Sequence, residues 1–282
     1  MRASPLRRLL IYTAAVLIAA WTAAPFVWLI ISSLSYKVDL LQRPLQWIPS
    51  RITLDNYIEL LVGTGEAAQH SAQFVSALRS SLIVALGATA VCLVLGTLAA
   101  YALTRLTFPG SRYYLLVLMA GQMLPPITIV VPLYVILRSL DLLDKQSGLI
   151  IVYISFILPL VVWILRGYFA SIPGELEDAA RIDGTTRVGA LFRIVLPLAG
   201  PGLASTAIFA FIAGWNEYLY AFVYTAVHAK TVPVLIGEFS TKLGLEYLRM
   251  AAAGVLAALP PVLLALIFQR FIIRGLTSGA VK

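Results

Sequence analysis

The sequence predicts an all-α, polytopic membrane protein with six transmembrane helices and a two-helix cytoplasmic loop. Three observations lead there. Apolar residues make up 60% of the 282 positions and charged residues only 12%, against about 45–50% and about 25% in soluble domains. The mean hydropathy of +0.91 leaves more apolar surface than one core can hide, so lipid must cover the rest. Charges also punctuate the chain into runs close to the ~20 residues that a helix needs to cross a bilayer. A disordered chain, a disulfide-stapled secreted domain and an ordinary cytosolic enzyme are excluded. Cys92, the one cysteine, cannot form an internal disulfide. His70 and His228 lie far apart with no Cys or acidic cluster at metal spacing, so no metal site is expected. The net charge of +8 fits basic residues flanking membrane spans better than nucleic acid.

Six segments qualify as spans: residues 9–34, 80–104, 113–137, 148–165, 200–227 and 250–269. Five lack Asp, Glu, Lys and Arg; the fifth in order carries Glu217. They lack the alternation of barrel strands, and lipid leaves no backbone group unpaired, so helix is the reading for each. The first apolar run, after Arg2, Arg7 and Arg8, has 26 residues, about twice the length of a signal-peptide core, and reads as an uncleaved span. The chain, 1–282, is expected to be one transmembrane domain in the cell (inner or plasma) membrane with both termini cytoplasmic. That orientation puts Arg2, Arg7, Arg8, Arg105, Arg112, Arg166, Arg181, Arg187, Arg193, Arg270, Arg274 and Lys282 inside, 12 of the 21 basic residues, and the loop 105–112 is short enough for the bias to act. Loops 35–79, 138–147 and 228–249 then lie outside, the first with a short helix near 54–61. Pro125, Pro126, Pro132 and Pro159 permit bends in spans three and four, and the pairs Gly96/Ala100 and Gly254/Ala258 suit close helix contact.

Between spans four and five, residues 166–198 read RGYFASIPGELEDAARIDGTTRVGALFRIVLPL. Pro173 can open a helix. Glu175, Glu177 and Asp178 favour its first turn and Arg181 its end. Gly184 supplies the left-handed residue that stops it, and Thr185 or Thr186 can cap a second helix. There Val188, Leu191, Phe192 and Val195 form one apolar stripe, and Pro197 and Pro201 lead into span five. The two short helices, with Leu176, Ala179 and Ala180 adding to their apolar face, either lie on lipid as an interfacial hairpin or dock a soluble partner.

The run Asp178-Ala179-Ala180, then Gly184, then Ile194-Val195-Leu196-Pro197, resembles the EAA loop of importer-type ABC transporter permeases, with Asp178 in place of that family's glutamate and Glu177 just before it. Ala99-Ala100-Tyr101-Ala102-Leu103 with Phe108-Pro109-Gly110, Pro125 with Pro132-Leu133-Tyr134, Trp215-Asn216-Glu217 and the tail Gly275–Lys282 resemble the carbohydrate-importer branch, of the maltose-system second-permease type. Ser80-Ser81 departs from the Asn-Ser pair usual there. The resemblance runs from about Ala14 to Lys282. It implies a coupling site at Glu177, Asp178, Ala179, Ala180, Asp183, Gly184, Ile194, Leu196 and Pro197, which ATP-driven closure of a motor would pull. It also implies two ATPase subunits carrying ATP and Mg2+, a homologous sibling permease, an extracytoplasmic solute-binding protein and a sugar-like solute. No G-x-x-x-x-G-K-[ST] phosphate loop occurs, and no Gly precedes a Lys, so the chain is not expected to be an enzyme or to hold a cofactor itself. Gly184→Leu should uncouple ATP hydrolysis from uptake without preventing insertion.

For the path, Gln122, Trp215, Asn216, Glu217 and Tyr218 are candidates. A sugar site wants aromatic faces and planar polar groups, and Glu217 is the one acidic residue inside a span, costly there unless partnered or facing water. Four consecutive helical side chains cannot all face one cavity. The competing reading is that Asn216 and Glu217 bond across to other helices and fix the bundle. A secondary transporter driven by an ion gradient is the rival for the whole chain; it predicts ionisable residues within several spans. An integral-membrane enzyme would need clustered His, Asp or Cys, and the sequence has none.

Overall fold

The computed structural model describes residues 5–41, 47–49, 51–65, 68–239 and 246–278; Arg2 and the tail Gly279–Lys282 lie outside them. The described residues form helices α1 (Pro5–Ser33), α2 (Lys37–Leu41), α3 (Asp55–Leu61), α4 (Ala68–Arg105), α5 (Ser111–Gly121), α6 (Pro126–Ser139), α7 (Gln146–Ser171), α8 (Glu175–Ile182) and α9 (Arg187–Ala190). One turn of π-helix (Leu191–Val195) follows, then α10 (Leu196–Leu198), α11 (Gly200–Trp215), α12 (Leu219–Tyr224), α13 (Val232–Glu238) and α14 (Tyr247–Ser278). Among the described residues four helices are long and apolar enough to cross a membrane, or up to six spans if each of two bent pairs counts as one.

The expected helix near 54–61 is α3. The helix that carries span two extends beyond the expected segment, because α4 starts at Ala68 and runs 38 residues through Arg79. At 1.5 Å per residue it is about 57 Å long, nearly twice a bilayer core. Arg79 limits the apolar run and not the helix.

Span three, expected as one segment, is α5 and α6 meeting at 88°. Pro125 is extended (φ −59°, ψ 129°), the conformation forced on a residue that precedes proline, and Pro126 opens α6. Pro132 and Pro159 sit inside α6 and α7 without ending them. Span five is likewise interrupted, with α11 ending at Trp215 and α12 starting at Leu219.

The chain divides into two compact units. One comprises residues 1–75 and 235–258. Here α3 folds back under the end of α1: Tyr57 Oη lies 2.6 Å from Ser33 Oγ, and Asn56 Nδ2 donates to the Ser33 carbonyl at 2.9 Å. Arg249 at the start of α14 pairs with Glu59 at 2.9 Å and with Glu246.

The other unit comprises residues 76–234 and 259–282. Its centre is α7, which packs along α11 and whose Leu149, Val152, Tyr153, Ile157, Val161, Leu165 and Phe169 are buried in one cluster with residues of α4. Gly96 on α4 permits that approach: a Cβ there would stand 2.5 Å from Val161 Cγ1, which is β-branched and held in one rotamer. At Gly254, the other small-residue position, a Cβ would meet Leu29 at an ordinary 3.5 Å. Gly96→Ala is therefore expected to lower the thermal midpoint of the detergent-solubilised protein by overpacking, at a cost of about 1–3 kcal/mol. Gly254→Ala should leave the midpoint unchanged or slightly raised; equal effects would show that close approach is not what Gly96 provides.

Candidate coupling loop and translocation face

The loop after α7 forms as its punctuation requires. α8 opens at Glu175 with Glu177 and Asp178 in its first turn and Arg181 in its last. It stops at Gly184, whose φ of +83° lies in the left-handed region. The Gly184 amide donates to the Arg181 carbonyl at 3.1 Å and the Thr185 amide to Ala180 at 2.9 Å, the paired closure that a C-terminal glycine makes possible. Of the two candidate caps, Thr186 serves: its Oγ1 accepts from the Gly189 amide at 3.1 Å. The π turn from Leu191 to Val195 then precedes Pro197, and the stretch 187–198 meets α11 at 80°.

The single apolar stripe divides in two. Leu191 and Val195 are buried, whereas Val188 (65% accessible) and Phe192 (59%) face out with Ile182 (87%). The stripe spans an arc wide enough that only one edge reaches the protein core. Of the expected coupling residues, Asp178, Ala179, Asp183, Gly184 and Pro197 are exposed, and Ala180, Ile194 and Leu196 are partly covered. Glu177 is different.

Glu177 points inward and is 6% accessible. Its Oε1 pairs with Arg105 Nε at 2.5 Å, and its Oε2 accepts from Tyr101 Oη at 2.8 Å. The exposed Asp178 makes only a surface pair with Arg181 at 3.5 Å. Sequence reasoning missed Tyr101 and Arg105 as site residues. The available signal was their four-residue spacing at the end of span two, which sets them on one helical face.

The five path candidates do not converge. Trp215 is buried and stacks on Phe211, with ring centroids 5.5 Å apart. Asn216 and Tyr218 are exposed, and Tyr218 stacks on Phe222 at 5.4 Å. Glu217 is held by the fold: Oε1 accepts from the Tyr220 amide at 2.7 Å, and Oε2 from the Ala221 amide at 3.0 Å and Tyr153 Oη at 2.7 Å. The carboxylate thus caps α12 and ties it to α7, the bundle-fixing arrangement. Gln122 Nε2 donates to the Phe156 carbonyl at 2.6 Å, and the Phe156 ring stacks on Tyr220. Both helix breaks therefore attach to one turn of α7, Tyr153–Phe156.

Beyond α12, Asp144 in the α6–α7 turn accepts from the amides of Ala226, Val227, His228 and Ala229 at 2.9–3.2 Å. Burial would raise this carboxyl, but the four amides outweigh it and hold it below its ordinary range. A depressed folded pKa means the clamp is at full strength above the unfolded value of about 4 and fades as pH falls through the folded one. Asp144→Asn is expected to lower the thermal midpoint at neutral pH, with the gap to the native protein narrowing below about pH 4. A gap constant down to about pH 3 would mean the charge is irrelevant.

A many-span α-helical bundle with a capped two-helix insertion before its fifth span defines the class, a polytopic membrane subunit. Residues 92–278 match the family described as the binding-protein-dependent transport system inner membrane component, and the chain belongs to that family. It is similar to the trehalose/maltose transport system permease protein MalG of Thermococcus litoralis, 36% identical over 284 aligned residues covering 100% of this chain and 99% of that one. It is also similar to the trehalose transport system permease protein SugB of Mycobacterium tuberculosis, 40% identical over 269 residues and 94% of each chain. A crystal structure of a bacterial ABC transporter involved in import of the acidic polysaccharide alginate shares the fold, with TM-score 0.76 and 21% identity over 96% of this chain and 99% of that one. The chain is a multi-pass membrane permease subunit of an ABC importer.

Proposed function

We propose that this subunit forms half of the path for a sugar or glycoside and couples it to one ATPase subunit through α8, the Gly184 elbow and α9. The observation that carries this reading is the outward face Ile182, Val188 and Phe192 on helices whose other side is buried. A bare apolar patch beside acidic and basic residues suits a protein groove better than phospholipid, whose interfacial helices carry more Lys and Arg. ATP and Mg2+ belong to the motor subunits, a homologous sibling supplies the other half of the path, and a binding protein delivers the solute. Both termini and the loop share the cytoplasmic side. The two helix breaks, with Gln122, Asn216 and Tyr218 beside them, face the path or the sibling. Relatives named for trehalose, maltose, diacetylchitobiose and sulfoquinovosyl glycerol support a glycosidic solute. A secondary transporter is not favoured, since Glu217 is occupied by the fold and no other span holds an acidic residue.

The test is purification of the tagged chain from its native membrane, followed by mass spectrometry of what accompanies it and an uptake assay over a panel of disaccharides. An ATPase with a phosphate loop and a second polytopic chain should co-purify, and uptake of one panel member should require ATP. Isolation of the chain alone, or uptake that follows an ion gradient, would overturn the reading.

A further inference from the structure

Glu177 stands among the coupling residues in sequence, yet it is turned away from any partner. Around it three helix ends meet. Arg105 is in the last turn of α4, and its Nη2 donates to the Phe169 and Ile172 carbonyls at 3.0 and 2.7 Å. Those lie at the end of α7, where the last carbonyls lack an i+4 amide; Ile172 is the cap, and its amide also donates to the Phe169 carbonyl at 3.2 Å. One guanidinium therefore sits at the negative ends of two helix dipoles, while the carboxylate it pairs with lies in the first turn of α8, at a positive end. The Tyr101 hydroxyl, one turn back along α4, also lies 3.2 Å from the Arg187 carbonyl, which opens α9. Tyr101 and Glu177 are buried and Arg105 nearly so.

We propose that Arg105, with Tyr101, is a positioning residue for transport: the Arg105–Glu177–Tyr101 triad joins the docking helices to α4 and α7, so that displacement of α8 moves both spans together. The inference rests on the docking reading above and reassigns Glu177 from motor contact to internal anchor. The planar guanidinium reaches the carboxylate and two carbonyls at once. An ammonium in its place keeps the charge but cannot hold that fork.

The experiment uses the complex purified with its ATPase and sibling and reconstituted in proteoliposomes. Arg105→Lys, Glu177→Gln and the double variant are compared for ATPase retention, ATP hydrolysis and solute moved per ATP. Both single variants should retain the ATPase and hydrolyse ATP, while solute moved per ATP falls about tenfold, as a lost coupling of ordinary size would give. The double variant should lose no more than the worse single one, because both break one linkage. The ratio is the deciding readout, since a merely destabilised chain lowers the amount of transporter and leaves solute per ATP unchanged. An unchanged ratio in correctly inserted Arg105→Lys overturns the proposal, as do additive losses in the double variant. Should Arg105→Lys fail to insert, Tyr101→Phe, which removes one hydroxyl, decides on the same ratio. Failure of the native chain to retain an ATPase would refute the docking reading itself, and that is read before any variant.

Discussion

Gly184→Leu is expected to reduce solute uptake about tenfold or more while the amount of inserted chain stays within about twofold of native. The reason is local. Gly184 holds φ +83°, where an L side chain costs about 1–2 kcal/mol, and each 1.4 kcal/mol is a factor of ten in a population. No atom lies within 4 Å of where its Cβ would stand, so steric collision with neighbours contributes little and the backbone carries the effect. α8 has only eight residues, too few to persist without its ends fixed. Loss of the turn at Gly184 lets its last turn fray and frees the direction in which α9 leaves. Gly184→Asn is the control, since Asn tolerates the left-handed region; it should restore most of the uptake. Comparison of vesicle uptake with immunodetected chain checks this, and full transport by Gly184→Leu at native abundance would count against the elbow's role in coupling.

The largest stability effect is expected at Glu217. Glu217→Ala strands the amides of Tyr220 and Ala221 and the hydroxyl of Tyr153, and each donor left without a partner away from water costs about 1–3 kcal/mol. Its thermal midpoint in detergent should fall sharply. Glu217→Gln keeps an acceptor oxygen for α12 but sets an amide against Tyr153, and should lose about 1–2 kcal/mol. Because the carboxylate is occupied by the fold, half-saturation for solute should not change in Glu217→Gln. Native stability with weakened affinity in that variant would instead place the carboxylate in the path.

Local chemistry was what the sequence made legible. Gly184 and Thr186 declare a stop and a cap because their roles depend on neighbours within four residues, and Pro125-Pro126 announces the break in span three by excluded volume alone. Glu177 could not be assigned from the run Glu175, Glu177, Asp178, since any of the three can open a helix. Its inward direction depends on Tyr101 and Arg105, more than seventy positions earlier. The break at residues 216–218 left no glycine or proline as a mark; it exists because a side chain, Glu217, takes over backbone donors at the start of α12. The divided stripe escaped because a count of apolar spacings finds a face without telling which edge of it the rest of the chain will cover.

The π turn at Leu191–Val195 lets the stretch between elbow and membrane change in length without a change of phase. A π turn carries one residue more than an α turn, so a chain shortened there by one residue can relax to α-helix with every donor still satisfied. Because the π turn takes up the extra residue within a single turn, everything downstream, Pro197 and α11 included, would keep close to its present phase. One residue removed from the regular helix α11 instead would turn the rest of the fifth span by about 100° and present the wrong side chains to its neighbours, a fault of timing in the winding.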